Sequence, residues 1–141
     1  MPPRAGFLAP LLRAPHAASM TLARTGQPVA TTVEGAFDSV ARRRGLLGRA
    51  GLPPGHCLVI APSGAIHTFG MAFAIDVLFL ARDGTVLKSC QRLPPRRLAA
   101  CWGAFAVAEL PSGTISVAGI ERGDRLVLGG RSEVQGTVTS S

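Results

Sequence analysis

The stretch IHTFGMAFAIDVLFLARDG, from Ile66 to Gly84, decides the fold. Between Phe73 and Ala81 it is apolar except for Asp76, and a two-residue period puts Phe73, Ile75, Val77 and Phe79 on one face and Ala74, Asp76, Leu78 and Leu80 on the other. Arg82-Asp83-Gly84 then reads as a tight turn, because glycine accepts the positive φ that hairpin connections need. Thr85 to Leu93 is the returning strand, ended by Pro94-Pro95. The middle of the chain is therefore a β-hairpin with one carboxylate set among apolar neighbours.

Working outward, the same punctuation recurs. Cys57 to Ala61 and Ala65 to Phe69 are short runs separated by Pro62-Ser63-Gly64, Phe105 to Leu110 stops at Pro111-Ser112-Gly113, and Arg125 to Leu128 follows Gly123-Asp124. Val29 to Glu34 has the β-branched content of an earlier strand. After it, Asp38 or Ser39 offers an N-cap for a helix over about 39–47 that Gly48 terminates. At 100° per residue Phe37, Val40 and Leu47 share an arc of that helix, and Arg44 falls inside it. A buried arginine requires a carboxylate, and Asp76 is its natural partner, with Glu109 competing.

The fold expected is mainly β: a single compact β-sandwich or barrel-like domain over residues 21–128 with one short N-terminal helix. Residues 1–20 contain Pro2, Pro3, Pro10 and Pro15 and read as a disordered tail, or as sequence upstream of a true start at Met20. Residues 129–141 are polar and read as a frayed, disordered end.

Composition narrows the function classes. The 141 residues suit one domain, and the net charge of +7, from fourteen arginines and one lysine, calls for a test of nucleic acid, acidic protein or anionic membrane as partner. Tyrosine is absent, and no arginine cluster is interleaved with aromatics that could stack on bases, which argues against nucleic acid. The longest nearly charge-free run, Cys57 to Ala81, carries His67, Asp76, a proline and glycines and is too polar for a membrane span. Three cysteines at irregular spacing, Cys57, Cys90 and Cys101, suit small core residues in a reducing, cytoplasmic setting rather than a disulfide framework. No phosphate loop, dinucleotide fingerprint or zinc spacing is present, so neither a cofactor nor a metal is expected.

The candidates for chemistry are His67, Asp76 and Glu109. Imidazole works as acid, base or ligand near neutral pH, and two acids in apolar strands could form a two-carboxylate site. A regular strand would put His67 and Asp76 on opposite faces unless the chain bends at Gly70. Arg44, Thr68 and Met71 are read as a binding or structural network around them. The hydroxyls Ser63, Ser112 and Thr114 sit in turns without the Gly-x-Ser-x-Gly elbow of an acyl-transfer nucleophile.

Five segments in order, Arg42-Arg43-Arg44-Gly45-Leu46-Leu47-Gly48-Arg49, Ile66-His67-Thr68-Phe69-Gly70-Met71, Ile75-Asp76-Val77-Leu78-Phe79-Leu80, Glu109-Leu110-Pro111-Ser112-Gly113 and Gly123-Asp124, resemble the domain-of-unknown-function 192 family. The resemblance covers about residues 21 to 128. It implies a compact β-sandwich or barrel-like domain with a short helix near its N-terminus and no established activity. It also implies an accessory role, since members with the His-Thr-Phe-Gly-Met variant occur near pilus-assembly genes. Similar proteins commonly carry Arg in place of Ala72, Pro in place of Ala74 and Cys in place of Ser63, so a site built on those residues would be incomplete here. The function expected is a non-enzymatic binding or accessory module, linked to envelope or pilus assembly, whose partner is an unknown protein or small ligand. The alternative is a small-ligand-binding enzyme or hydrolase using His67 with Asp76 or Glu109.

Overall fold

The computed structural model describes residues 6–13 and 18–130. Its strands are β1 (Ala18–Leu22), β2 (Pro28–Ala36), β3 (His56–Ile60), β4 (Ala65–His67), β5 (Ile75–Leu80), β6 (Val86–Leu93), β7 (Leu98–Ala100), β8 (Ala106–Pro111) and β9 (Leu126–Gly130). Its helices are α1 (Ala9–Arg13), α2 (Ser39–Arg44) and α3 (Thr114–Ala118). Seven strands form one sheet in the order β6-β5-β8-β3-β2-β1-β9, and β4 and β7 form a separate two-stranded ribbon. The mainly β, barrel-like fold expected from the sequence is the one observed.

The β5–β6 hairpin turns where the sequence places it: Asp83 Oδ1 accepts from the Thr85 N–H at 2.9 Å, and Gly84 takes φ 91. A side chain at Gly84 would collide with the Leu126 carbonyl, so the turn also seats against β9. Next to it, Thr85 bridges Arg125, and the Val86 N–H donates to the Asp124 carbonyl at 2.7 Å. The first and last strands of the sheet thus meet along a short seam, and the sheet curls into a half-barrel. All neighbours in it are antiparallel except β2 and β3, which run parallel because α2 lies in the crossover between them.

Both faces of the sheet are covered, which is why every residue of β5 is buried. Inside the curl, Met20, Leu22, Val33, Val59, Leu78, Leu80, Leu110, Ile115 and Leu126 form the larger core. On the outer face Leu58, Ile60, Ile75, Val77, Phe79 and Val107 pack under Leu46, Met71 and Ala99.

Three expectations are corrected. Residues read as an N-terminal tail contribute to the inner core: Phe7, Leu8 and Leu11 are buried, and β1 begins at Ala18. Pro10 is compatible with α1 because it lies in the first turn, where backbone N–H groups have no helical partner. Helix α2 is also shorter than expected. Asp38 caps it, accepting from the Ala41 N–H at 2.7 Å, but it ends at Gly45, whose φ of 47 breaks the helical path before Gly48. The expected buried arc does not form, and Val40 is 74% exposed. Of the end read as frayed over 129–141, Gly129 and Gly130 belong instead to β9, registered with Ser19 and Ala18, and residues 131–141 lie outside the described residues.

Candidate functional site

Strand alternation separates the two acids. Asp76 is registered with Leu110 and shares the inner face with Leu78 and Leu80, whereas Glu109 is registered with Leu58 and Val77 and faces outward. A two-carboxylate site is therefore not built.

Asp76 is wholly buried and held by backbone alone. Its Oδ1 accepts from the Arg92 N–H at 2.8 Å, and its Oδ2 accepts from Gly113 at 3.1 Å and from Ile115 at 2.8 Å. Gly113 precedes α3 and supplies no side-chain cap, so Asp76 caps that helix from across the fold. Its other oxygen fixes a bulge in β6, where the register with β5 shifts and Arg92 takes φ 52. The carboxylate is thus a structural tie with its acceptors committed, and the Arg44–Asp76 pair expected from the sequence does not form.

Arg44 is exposed and, among the described residues, forms no ion pair or hydrogen bond. The reason is the orientation of α2: Arg44 stays on the face of Val40, one turn away, and that face is turned to solvent. Arg44→Ala is accordingly expected to change the unfolding free energy by no more than about 0.5 kcal/mol, as for other surface substitutions. Urea denaturation checks this, and a loss of several kcal/mol would restore a buried partner. Carboxylates are met instead by Arg49, forked onto Glu34 at 3.1 and 3.3 Å, and by Arg24, on Asp124 at 2.8 Å. The turn that brings Arg49 to β2 leaves no periodic signal in the sequence.

Glu109 lies at the floor of an open cleft of about 340 Å³. One wall is α2 and the residues after it, Arg42 to Leu47; the other is β4; Ile60 and Met71 complete the floor. The end of α2 sits close above the acid, since a Cβ placed on Gly45 would be 3.7 Å from Glu109 Oε1. Glu109 is only 4% exposed, and no donor among the described residues bonds its carboxyl group. Burial raises its pKa to about 7, an effect that the nearby Arg49 charge partly offsets. Arg42 is tethered through its Nη1 to the Phe37 carbonyl at 2.7 Å, while Arg43 and Arg44 at the rim are exposed. The cleft therefore combines an uncommitted buried acid with two uncommitted surface cations.

His67 and Met71 line this cleft as well; His67 is exposed and forms no hydrogen bond with Glu109. Its ring lies 6.0 Å from that of Phe69. Thr68, buried, belongs to the scaffold: its hydroxyl donates to the Pro94 carbonyl at 2.6 Å and accepts from the Arg97 N–H at 2.9 Å, pinning the loop between β6 and β7. Leu98 and Trp102, which the sequence reading does not single out, are exposed on or beside the ribbon, Trp102 fully. The signal for Trp102 is its place in a turn directly before Gly103, which takes φ 87.

A profile of the DUF192 family, described as Uncharacterized ACR, matches residues 20–128. Among curated proteins none gives a significant match. Two solved structures share the fold. One is a provisionally assigned transcription regulator from Sinorhizobium meliloti 1021, 26% identical over 79% of this chain and 91% of its own, with a TM-score of 0.69. The other is a protein of unknown function from Novosphingobium aromaticivorans DSM 12444, 21% identical over 77% of this chain and 82% of its own, also with a TM-score of 0.69.

Proposed function

We propose, for a chain that belongs to the domain-of-unknown-function 192 family, that the cleft over Glu109 is a ligand site and the protein a binding or accessory module without catalytic chemistry. The observation that carries this is the uncommitted Glu109 carboxyl beneath the unpaired rim arginines. A buried polar group is normally hydrogen-bonded within its own fold, and one that faces an open cleft instead is suited to a ligand. The ligand would place an anionic group against Arg43 and Arg44 and a hydrogen-bonding group over Glu109. An accessory role in envelope or pilus assembly is compatible with this reading, which does not depend on it.

The rival hydrolase would need His67 oriented by an acid. Asp76 has its oxygens committed on the other face of the sheet, and Glu109 makes no hydrogen bond to the imidazole. The description of the Sinorhizobium protein would suggest nucleic acid as partner. Against that, α2 has only six residues, and the chain has no tyrosine to stack on bases beside its arginines.

Titration with N-acetyl-glutamate, followed by amide NMR shifts, tests the site. Shifts at Gly45, Leu46, Ala65 and His67 are expected in the wild type and not in the R43A/R44A double variant, whose exposed positions leave the fold intact. No shift at these amides at millimolar ligand, or turnover of an ester probe that His67→Ala abolishes, would overturn the reading.

A further inference from the structure

The cleft wall opposite α2 is an unfinished sheet edge. Among the described residues strand β4 pairs only with β7, through Ala65–Ala100, Ile66–Ala99 and His67–Leu98. The flanking bonds, Cys101 N–H to the Gly64 carbonyl and Thr68 N–H to the Arg97 carbonyl, both 2.9 Å, set the phase of the ladder. Backbone groups of 64, 66 and 68 point towards β7, so those of 65 and 67 point away from it. At Ala65 the outward groups are occupied by Ser63, whose hydroxyl donates to the Ala65 carbonyl at 2.9 Å and accepts from its N–H at 3.4 Å. At His67 they have no partner among the described residues.

Two further observations lie on the same edge. The outward face of the ribbon carries Leu98, 75% exposed and directly across from His67, with Phe69, 48% exposed, just beyond one end and Trp102 just beyond the other. Isolated exposed apolar residues need no explanation, but three beside a half-paired strand form a surface suited to a partner. Across the cleft stand Arg43 and Arg44, in a chain of net charge +7.

We infer that this edge accepts an extended peptide with alternating acidic and apolar side chains, which adds as a third strand beside β4. The inference rests on the cleft being a binding site and specifies what it binds. The peptide backbone would pair with the N–H and C=O of His67, the mode by which exposed sheet edges capture chains. Side chains of a strand alternate between faces, so apolar residues on the outward face lie beside His67 and Phe69, with Leu98 next in line across β4, while acidic ones reach Arg43 and Arg44.

The test uses the whole chain and four probes: acetyl-Glu-Val-Glu-Val-amide, the same peptide N-methylated at both valines, its lysine-for-glutamate analogue, and N-acetyl-glutamate. Only the first peptide is expected to slow hydrogen exchange at the His67 amide, by about tenfold or more. The R43A/R44A double variant and Phe69→Ala, altered only at exposed positions, are each expected to weaken its binding by about tenfold, the scale of one lost anchor. Equal binding of the N-methylated or lysine peptide, or an unprotected His67 amide, overturns the inference. Concentration-dependent protection of His67 without peptide, with a matching rise in sedimentation coefficient, also overturns it and assigns the edge to a second copy. If N-acetyl-glutamate binds through Arg43 and Arg44 while the peptides do not, strand addition is wrong and the ligand site stands; if nothing binds, both are wrong.

Discussion

Asp76→Ala is expected to lower the unfolding free energy by about 3–5 kcal/mol. The carboxylate is fully buried and accepts three backbone hydrogen bonds, from Arg92, Gly113 and Ile115. Alanine would leave three N–H groups without an acceptor in a site too enclosed for bulk water, and each orphaned buried donor costs about 1–3 kcal/mol before relaxation. Asp76→Asn keeps the volume but turns an amide donor towards one of these N–H groups, so a smaller loss of about 2 kcal/mol is expected. Urea denaturation of both variants measures this. An alanine variant within about 1 kcal/mol of wild type would mean that the bulge at Arg92 and the start of α3 are held by something else.

The second large effect is a pH dependence carried by Glu109. Its folded pKa is raised by burial from an ordinary value of 4.5 to about 7. Below pH 4.5 the group is protonated whether the chain is folded or not, and it contributes nothing. Between 4.5 and 7 the unfolded chain releases its proton while the folded chain keeps it, so stability falls as pH rises, by about 3 kcal/mol in all, and levels off above 7. Asp124 works in the opposite sense: hydrogen bonds from Arg24 hold its pKa low, so its contribution is lost as pH falls. Comparing wild type with Glu109→Gln isolates the first effect, because the other groups titrate alike in both. The variant is expected to gain about 2–3 kcal/mol on wild type on going from pH 5 to pH 8. The same difference in urea midpoint at both pH values would show that Glu109 is not buried in its acidic form.

These effects also show what the sequence could and could not reveal. Strands β3, β5, β6 and β8 were legible because apolar runs and turn residues report local geometry, and the Asp83-Gly84 turn sits where its chemistry put it. The N-cap at Asp38 was legible for the same reason. Strand β1, the three-residue β7 and helix α3 are too short to show a period. The partners of Asp76 were beyond reach for another reason: they are main-chain N–H groups 16, 37 and 39 residues away, which no side-chain pattern encodes. Arg44 was misplaced because a period says which residues share a face of α2 but not which face meets solvent, and the face of Val40 and Arg44 is the exposed one. Of the candidate site, His67, Met71 and Glu109 line one cleft, Asp76 belongs to the opposite face, and Thr68 to the loop that supports the ribbon. Separating Asp76 from Glu109 required only the register between β5 and β8, which is a long-range fact.

The double covering of the sheet bears on how such a domain can diversify. The inner layer, with the seam and Asp76, closes the barrel without help from the cleft. The outer layer, consisting of α2 and the β4–β7 ribbon, can exchange residues at Arg43, Arg44, His67 or Leu98 without reaching that interior. Change in the outer wall is thereby uncoupled from the requirement to fold: one interior can support different surfaces.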